Sequence, residues 1–249
     1  MSLNLMILGD NHLSEVLTDK FSEIEDVQVI DSTSPLESNI DVVIETTNLD
    51  IEKKKQQLQS VERHVSASTL ILTTVLGVTA TEAASWLETQ ERLVGFATFS
   101  NLDDIDLIEI TPALQTKAAS VDHAKEVFAR IDKETEEVED GVGLVFPRIL
   151  AMIVNESAFA LAEGTASAKD IDIAMKQGTN YPLGPLEWAE KIGIDDVYAI
   201  LVGLNRDLGE ERYRPAPLLK KLVLAGWTGE TAGQGFYSFQ NRGEKEKVR

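Results

Sequence analysis

Short apolar runs alternate with longer amphipathic stretches over the first 140 residues. Apolar runs of four to six residues predict buried strands at 3–8, 27–30, 41–44, 70–73, 93–97 and 107–111. Helical spacing of apolar residues predicts helices at 13–21, 49–65, 81–88 and 121–131. Strands that alternate with helices indicate an α/β fold, a doubly wound parallel sheet covered on both faces. We expect the lysines at 53–55 to lie on a solvated helical face.

The pattern changes after residues 139–143 (EDGVG), and the spacing of apolar positions is helical from there on. A helix is predicted over 149–162, Ser167 has the position of an N-cap with Asp170 three residues later, and Pro185 has that of a first helical residue. We therefore expect an α/β domain over 1–141, an all-α domain over 142–240 and a tail over 241–249.

Composition narrows the class of protein. The 249 residues are 43% hydrophobic and 26% charged, which is enough apolar material for a packed core and excludes a disordered chain. There is no cysteine, which excludes disulfides, thiolate metal ligands and cysteine nucleophiles. No apolar run reaches the roughly 18 residues of a membrane span, and the first residues lack the pattern of a secretory signal. We expect a cytoplasmic protein.

The charge is unevenly distributed along the chain. Residues 1–140 carry 28 acidic and 10 basic side chains, whereas the remainder carries 14 and 13. An acidic first half repels nucleic acids and anionic membranes, so neither is an expected partner. The simpler interpretation of this excess of acidic residues is a solvated acidic surface.

The first strand is followed by a glycine and then a helix, which is where a Rossmann-like fold binds the pyrophosphate of a dinucleotide such as NAD. The turn reads GDNHLS, so Gly9 occupies the first glycine position, Asn11 the second and Ser14 the third. Asp10 adds a negative charge where the phosphates would lie. Asp31, at the end of the second strand, is either an acid that binds a ribose hydroxyl or a loop-capping aspartate.

The sequence gives little support for a metal site or for the motifs of other enzyme classes. The three histidines, His12, His64 and His123, have no metal-ligand spacing with carboxylates, so no metal site is predicted. His64 and His123 are expected on the surface. The chain has no P-loop, no G-x-S-x-G elbow and no Tyr-x-x-x-Lys pair.

The second half contains more specific strings. LAMIVNESAFALAE is followed by GTASAKDIDIAMKQGTNYPLGPLEWAEKIGIDD, and later by RYRPAPLL, AGWTG and GQGFYSF. These strings resemble the helical carboxyl-terminal domain of 3-hydroxyacyl-CoA dehydrogenases, including the 3-hydroxybutyryl-CoA enzymes, and VVIET with NLDIEKK resembles the same family's third strand. The resemblance implies oxidation of a 3-hydroxyacyl thioester with hydride transfer to NAD, an acyl-CoA-type ligand and a homodimer formed by the helical domain.

The same resemblance implies that several functional residues are replaced. Glu109, in the segment LIEI, matches the family's glutamate, which orients a catalytic histidine twelve residues earlier; that position is Ala97. The family's asparagine in the helical domain matches Pro147. The segment after the fourth strand reads TTVL at 73–76 where the family has Ser-Asn-Thr-Ser, and residues 32–40 are too few for the family's CoA-facing helical hairpin.

Two functional hypotheses follow. In the first, the protein is a working NAD-dependent dehydrogenase whose base is Glu109 itself or a water molecule held by Thr98 and Ser100. In the second, it is a catalytically inactive, dimeric family member with a binding or regulatory role. A structural partner of another acyl-CoA enzyme is not distinguished from the second hypothesis.

Overall fold

The computed structural model describes residues 2–30 and 39–239. The chain forms two compact units, Met1–Val145 and Phe146–Arg249. The division therefore falls between residues 145 and 146, a few residues after the expected boundary at 142. The expected tail from residue 241 lies outside the described residues.

The amino-terminal unit is a sheet flanked by helices. Its strands are β1 (Leu3–Leu8), β2 (Val27–Ile30), β3 (Val42–Glu45), β4 (Leu70–Thr74), β5 (Leu93–Ala97), β6 (Leu107–Pro112) and β7 (Glu134–Glu137). Its helices are α1 (His12–Ser22), α2 (Ile51–Glu62), α3 (Ala80–Ser85) and α4 (Ala118–Ala129). The strand order is β2-β1-β3-β4-β5-β6-β7. The Rossmann-like fold class predicted from the sequence is confirmed.

Two features of the sheet differ from the prediction. The β5–β6 pair is antiparallel, whereas the other neighbouring pairs among the described residues are parallel. Only nine residues join β5 to β6, and a parallel connection needs a crossover of about a dozen or more. Strand β7 was not predicted because its sequence, ETEE, is wholly polar apart from a threonine methyl. Among the residues that the structure describes it pairs with β6 alone, at the sheet edge.

The core of this unit consists of the apolar runs themselves. Leu5, Ile44 and Leu72 on neighbouring strands are fully buried. The rings of Phe96 and Phe128 are 5.3 Å apart between centroids. Because β1, β3 and β4 run parallel, the segments that follow them lie at one edge of the sheet. That edge carries the candidate site.

The second unit consists of helices. They are α5 (Phe146–Ala162), α6 (Ala168–Thr179), α7 (Pro185–Ile192), α8 (Ile194–Leu208) and α9 (Pro217–Leu224). The predicted caps are confirmed: the Ser167 hydroxyl accepts from the N–H of Asp170 at 3.1 Å, and Pro185 is the first residue of α7. No helix among residues 2–30 and 39–239 has the length and apolar character needed to cross a membrane.

The sequence motifs of this unit make contacts that hold its segments together. The amide of buried Asn155 on α5 donates to the carbonyl of Arg214 at 3.0 Å and accepts from the N–H of Ala216 at 2.8 Å. The carboxylate of Asp172 on α6 accepts from the N–H groups of Leu186 and Glu187 at the start of α7, at 2.8 and 2.9 Å. Asn155 therefore joins α5 to the segment before α9, and Asp172 joins α6 to the start of α7.

Gly184 and Tyr237, which also belong to the sequence motifs, both contact Asp172. A Cβ at Gly184 would lie 2.2 Å from the Cβ of Asp172, so no larger residue fits there. The Tyr237 hydroxyl donates to Asp172, and the Tyr237 N–H donates to Glu190 at 3.0 Å. Burial, together with the adjacent Asp172 carboxylate, raises the pKa of Tyr237 well above its usual value. The phenol therefore stays a hydrogen-bond donor.

Candidate cofactor and active site

The turn between β1 and α1 requires glycine at its first position. Gly9 has φ +149°, and a Cβ there would lie 2.0 Å from the Oγ1 of Thr46. Thr46 is fully buried directly after β3, and its N–H donates to the Leu8 carbonyl at 2.9 Å. Gly9 is thus fixed by close approach of the neighbouring strand end, as expected for the first glycine of a dinucleotide turn.

Asn11 occupies the second glycine position and is the N-cap of α1. Its Oδ1 accepts from the Ser14 N–H at 3.1 Å and from the Thr46 hydroxyl at 2.8 Å. Its Nδ2 donates to the Thr46 carbonyl at 2.6 Å. Ser14, in the third position, is buried and its hydroxyl donates to the Asn11 carbonyl. The side chains of the turn therefore bond to one another and to Thr46.

The charge at the turn is more balanced than the sequence suggested. The Asp10 carboxylate, which is exposed, forms an ion pair with the ammonium group of Lys53 at 2.6 Å. Lys53 lies in the first turn of α2, close to the carboxyl end of β3. Its ammonium group offsets the negative charge that Asp10 brings to the turn.

The expectation that the lysine run 53–55 faces solvent is wrong for Lys54. Its side chain is 1% exposed and is paired with the fully buried carboxylate of Glu45 at the end of β3. The ammonium group also donates to the Thr47 carbonyl at 2.9 Å and to the Thr74 hydroxyl at 3.1 Å. Glu45 in turn accepts from the Thr47 N–H and from the Thr73 hydroxyl, both at 2.7 Å. The pair joins the carboxyl ends of β3 and β4.

The position of the family's histidine lies opposite Glu109. Ala97 on β5 and Glu109 on β6 are direct partners in the antiparallel register, and both are buried, at 3% and 8% exposure. The Glu109 carboxylate accepts from the backbone N–H of Val145 at 2.8 Å. Ala97 provides no titratable group. The buried Thr98 hydroxyl beside it has no hydrogen-bond partner among the described residues.

The remaining candidate positions are spread over the chain. Pro147, at the position of the family's asparagine, is the second residue of α5 and is buried. A proline has no N–H, so it offers no backbone donor there. His12 and His64 belong to α1 and to the segment after α2, and His123 belongs to α4. None of the three replaces the missing histidine on β5.

Asp31 and most of the short segment 32–40 lie outside the described residues. Among the described residues, a crevice of about 490 Å³ is lined by residues of β1, the turn after it, α1 and β2, including Gly9, Ser14 and Ile30. Sequence reasoning identified Gly9, Asn11 and Ser14, and these three lie together at one turn. It missed Thr46, Lys53 and the Glu45–Lys54 pair. In the sequence, Thr46 belongs to a pair of threonines after a strand, and both lysines belong to a lysine run at the start of a helix.

Comparison with known families covers both units. Residues 11–141 match the 3-hydroxyacyl-CoA dehydrogenase NAD binding domain, and residues 143–239 match the carboxyl-terminal domain of the same family. The chain belongs to the 3-hydroxyacyl-CoA dehydrogenase family. The family consists of oxidoreductases, and its cofactor is NAD.

Individual relatives agree with this assignment. A probable 3-hydroxybutyryl-CoA dehydrogenase of Bacillus subtilis is 31% identical over 81% of this chain and 70% of its own length. The 3-hydroxybutyryl-CoA dehydrogenase of Clostridioides difficile is 30% identical over 94% of this chain and 85% of its own length. Among solved structures, FadB2 of M. tuberculosis aligns with a TM-score of 0.83 at 20% identity, covering 95% of this chain and 99% of its own.

The backbone of the turn fits NAD, but one side chain differs from the usual dinucleotide turn. The strand–glycine–helix geometry, the close approach at Gly9 and the adjoining crevice suit a dinucleotide. At the second position the usual glycine lets the backbone approach the pyrophosphate, and here the Asn11 side chain is bonded across the helix start. A bonded amide side chain therefore stands where the dinucleotide turn has a glycine.

Proposed function

We propose that this member of the family binds a nicotinamide dinucleotide and an acyl-CoA-type ligand without performing the family's proton transfer. The observation that carries the proposal is Ala97 opposite Glu109 on neighbouring strands. An absent acid–base group lowers a rate by about 10²–10⁴-fold. Pro147 adds a second replacement, since it has no side-chain donor for the reacting oxygen.

Several residues support cofactor binding. Gly9 and the start of α1 would hold the pyrophosphate, and Lys53 lies close enough to the turn to pair with Asp10. Asp31 remains our candidate for the ribose hydroxyls. NAD, when bound, supplies the hydride acceptor of the family's oxidation. The Glu109 carboxylate, on β6, accepts from the Val145 N–H, which fixes its orientation.

The second candidate function is a slow dehydrogenase in which Glu109 is the base. The buried Glu109 carboxylate and the buried Thr98 hydroxyl, which has no hydrogen-bond partner among the described residues, favour it, because each could bond to a water molecule or a substrate hydroxyl. In this case Glu109 would remove the hydroxyl proton that the family's histidine removes.

Two assays separate these functions. Calorimetric titration with NADH should give binding in the micromolar range, and NADH mixed with acetoacetyl-CoA should show no loss of nicotinamide absorbance above background. Ala97→His alone should not restore turnover, because Pro147 remains. Absorbance loss that Glu109→Gln abolishes would establish the slow dehydrogenase instead. Absence of binding at millimolar NADH would remove both functions.

We also propose a homodimer in the cytoplasm. Relatives with the same helical domain are named as 3-hydroxybutyryl-CoA dehydrogenases, and the resemblance implies dimerisation through that domain. Exposed apolar side chains of the second unit supply a surface for it, including Phe146, Ile149, Ile173 and Leu224. Light scattering after size exclusion should give about twice the chain mass of 27.4 kDa. A monomer at all concentrations tested would contradict the proposal.

A further inference from the structure

Asn11 makes more contacts than an N-cap needs. An N-cap side chain satisfies one free N–H at the start of a helix, as Asn11 does for Ser14. Here the same amide is also bonded in both directions to Thr46, which belongs to the segment after β3. The side chain is therefore held from α1 on one side and from the neighbouring strand end on the other.

Thr46 is a rigid partner. Its side chain is fully buried, and its Oγ1 lies 3.1 Å from the Leu8 carbonyl as well as 2.8 Å from Asn11. The next residue, Thr47, is held at its N–H by Glu45 and at its carbonyl by Lys54. These bonds anchor the segment after β3, so displacement of the Asn11 side chain breaks its bonds to Thr46.

The bonded side chain lies across the start of α1. The first N–H groups of a helix attract phosphate oxygens, and a glycine at the second position of the turn leaves room for them. In this chain that position carries an amide whose Oδ1 already accepts from the Ser14 N–H. A pyrophosphate and the Asn11 side chain therefore compete for one place.

We propose that Asn11 and Thr46 form a latch that closes the β1–α1 turn, and that a dinucleotide binds only when the Asn11 side chain is displaced. This inference rests on the proposed binding of a nicotinamide dinucleotide and adds to it an intrinsic restraint on affinity. Asn11 is then a residue that sets affinity, because its replacement opens the turn.

The test is a gain of binding, which a damaged fold does not produce. NADH is titrated calorimetrically into the wild-type protein and into Asn11→Gly, for which we expect a Kd at least about tenfold lower. The serine in Asn11→Ser retains an N-cap oxygen, but its side chain is too short to reach Thr46, so this variant should also bind NADH more tightly than the wild type. It provides the test if Asn11→Gly does not fold.

A matched pair of threonine variants isolates the bond to Thr46. Thr46→Val removes the hydroxyl that reaches Asn11 and should lower the Kd of NADH about two- to fivefold. Thr69→Val is the control, because Thr69 is equally buried and its hydroxyl also donates to a carbonyl, that of Ile40 at 2.6 Å, at the amino end of β4. The Kd of NADH should not change in this variant.

Hydrogen exchange supplies a readout without any nucleotide. Amides of residues 10–15 should exchange faster in Asn11→Gly and Thr46→Val than in the wild-type protein, and at the wild-type rate in Thr69→Val. Binding by Asn11→Gly when the wild-type protein shows none would support the latch and overturn the proposed wild-type binding. Equal or weaker binding by folded Asn11→Gly, or no binding by either protein, would overturn the latch.

Discussion

Replacing Lys54 with methionine removes the cation from a buried ion pair and leaves the Glu45 carboxylate without it. Breaking such a pair from one side destabilises a protein by about 3–5 kcal/mol, because the remaining charge is buried. Glu45 keeps two donors, the Thr47 N–H and the Thr73 hydroxyl, each at 2.7 Å. We therefore expect the lower end of that range, about 3 kcal/mol.

Urea unfolding of the full chain, followed by circular dichroism, measures this loss. With a slope of about 1–3 kcal/mol per molar urea, a loss of about 3 kcal/mol lowers the midpoint by about 1–3 M. Hydrogen exchange in β3 and β4 should locate the loss in the amino-terminal unit. The matched control is Lys53→Met one residue earlier, whose pair with Asp10 is exposed and should contribute only about 0.2–1 kcal/mol.

The double variant Glu45→Gln with Lys54→Met separates the effect of the unpaired charge from a loss of packing. Glutamine keeps an oxygen that accepts from the Thr47 N–H, and no charge remains buried. We expect the double variant to be more stable than Lys54→Met alone, by about 2 kcal/mol. A single Lys54→Met variant within about 1 kcal/mol of the wild type, or a double variant less stable than the single one, would refute this reasoning.

Three further predictions concern the helical unit. Burial raises the pKa of Glu190 above its ordinary value of 4.5, so the native state keeps this proton to higher pH than the unfolded state does. Stability should therefore fall as pH rises from about 4.5 through the raised pKa. Melting temperatures across that range should fall less in Glu190→Gln, and the same dependence of melting temperature on pH in both proteins would contradict the assignment. Asn155→Ala leaves the carbonyl of Arg214 and the N–H of Ala216 unpaired and should destabilise the protein by about 2–3 kcal/mol in urea unfolding. Ser167→Ala removes the N-cap of α6 and should lower stability by about 1 kcal/mol in the same assay, and a neutral effect would show that the cap is dispensable.

The strand positions were predictable because local pattern and tertiary environment agree for them. Strands β1, β2 and β5 have the predicted bounds. For β1 and β5 the reason is that buried strands are continuous apolar runs, whereas β2 is half-buried and contains the exposed Gln28. Strand β7 was missed for the converse reason. Its residues form a strand because β6 offers a free edge, and nothing in the run ETEE indicates that partner.

The candidate site was predictable only in part. Gly9, Asn11 and Ser14 are close in sequence, so a turn motif is enough to bring them together. The pairing of Ala97 with Glu109 was inferred from family resemblance, and the antiparallel register places them opposite each other. Thr46 and Lys53 come from a different βα unit, and no local pattern relates them to the turn at Gly9.

Periodicity and composition can be read from the sequence alone. They were sufficient to predict an α/β half, a helical half and the types of their elements, and to exclude cysteine chemistry. Which polar groups are buried together is a long-range property. Lys54 looks like one of three solvated lysines until α2 packs on the sheet and brings it to Glu45. Asn11 likewise looks like a substitute for glycine until β3 ends beside β1 and Thr46 bonds to its side chain. These contacts depend on tertiary packing, because only the packed sheet and helices bring residues that are 9 and 35 positions apart within hydrogen-bond distance.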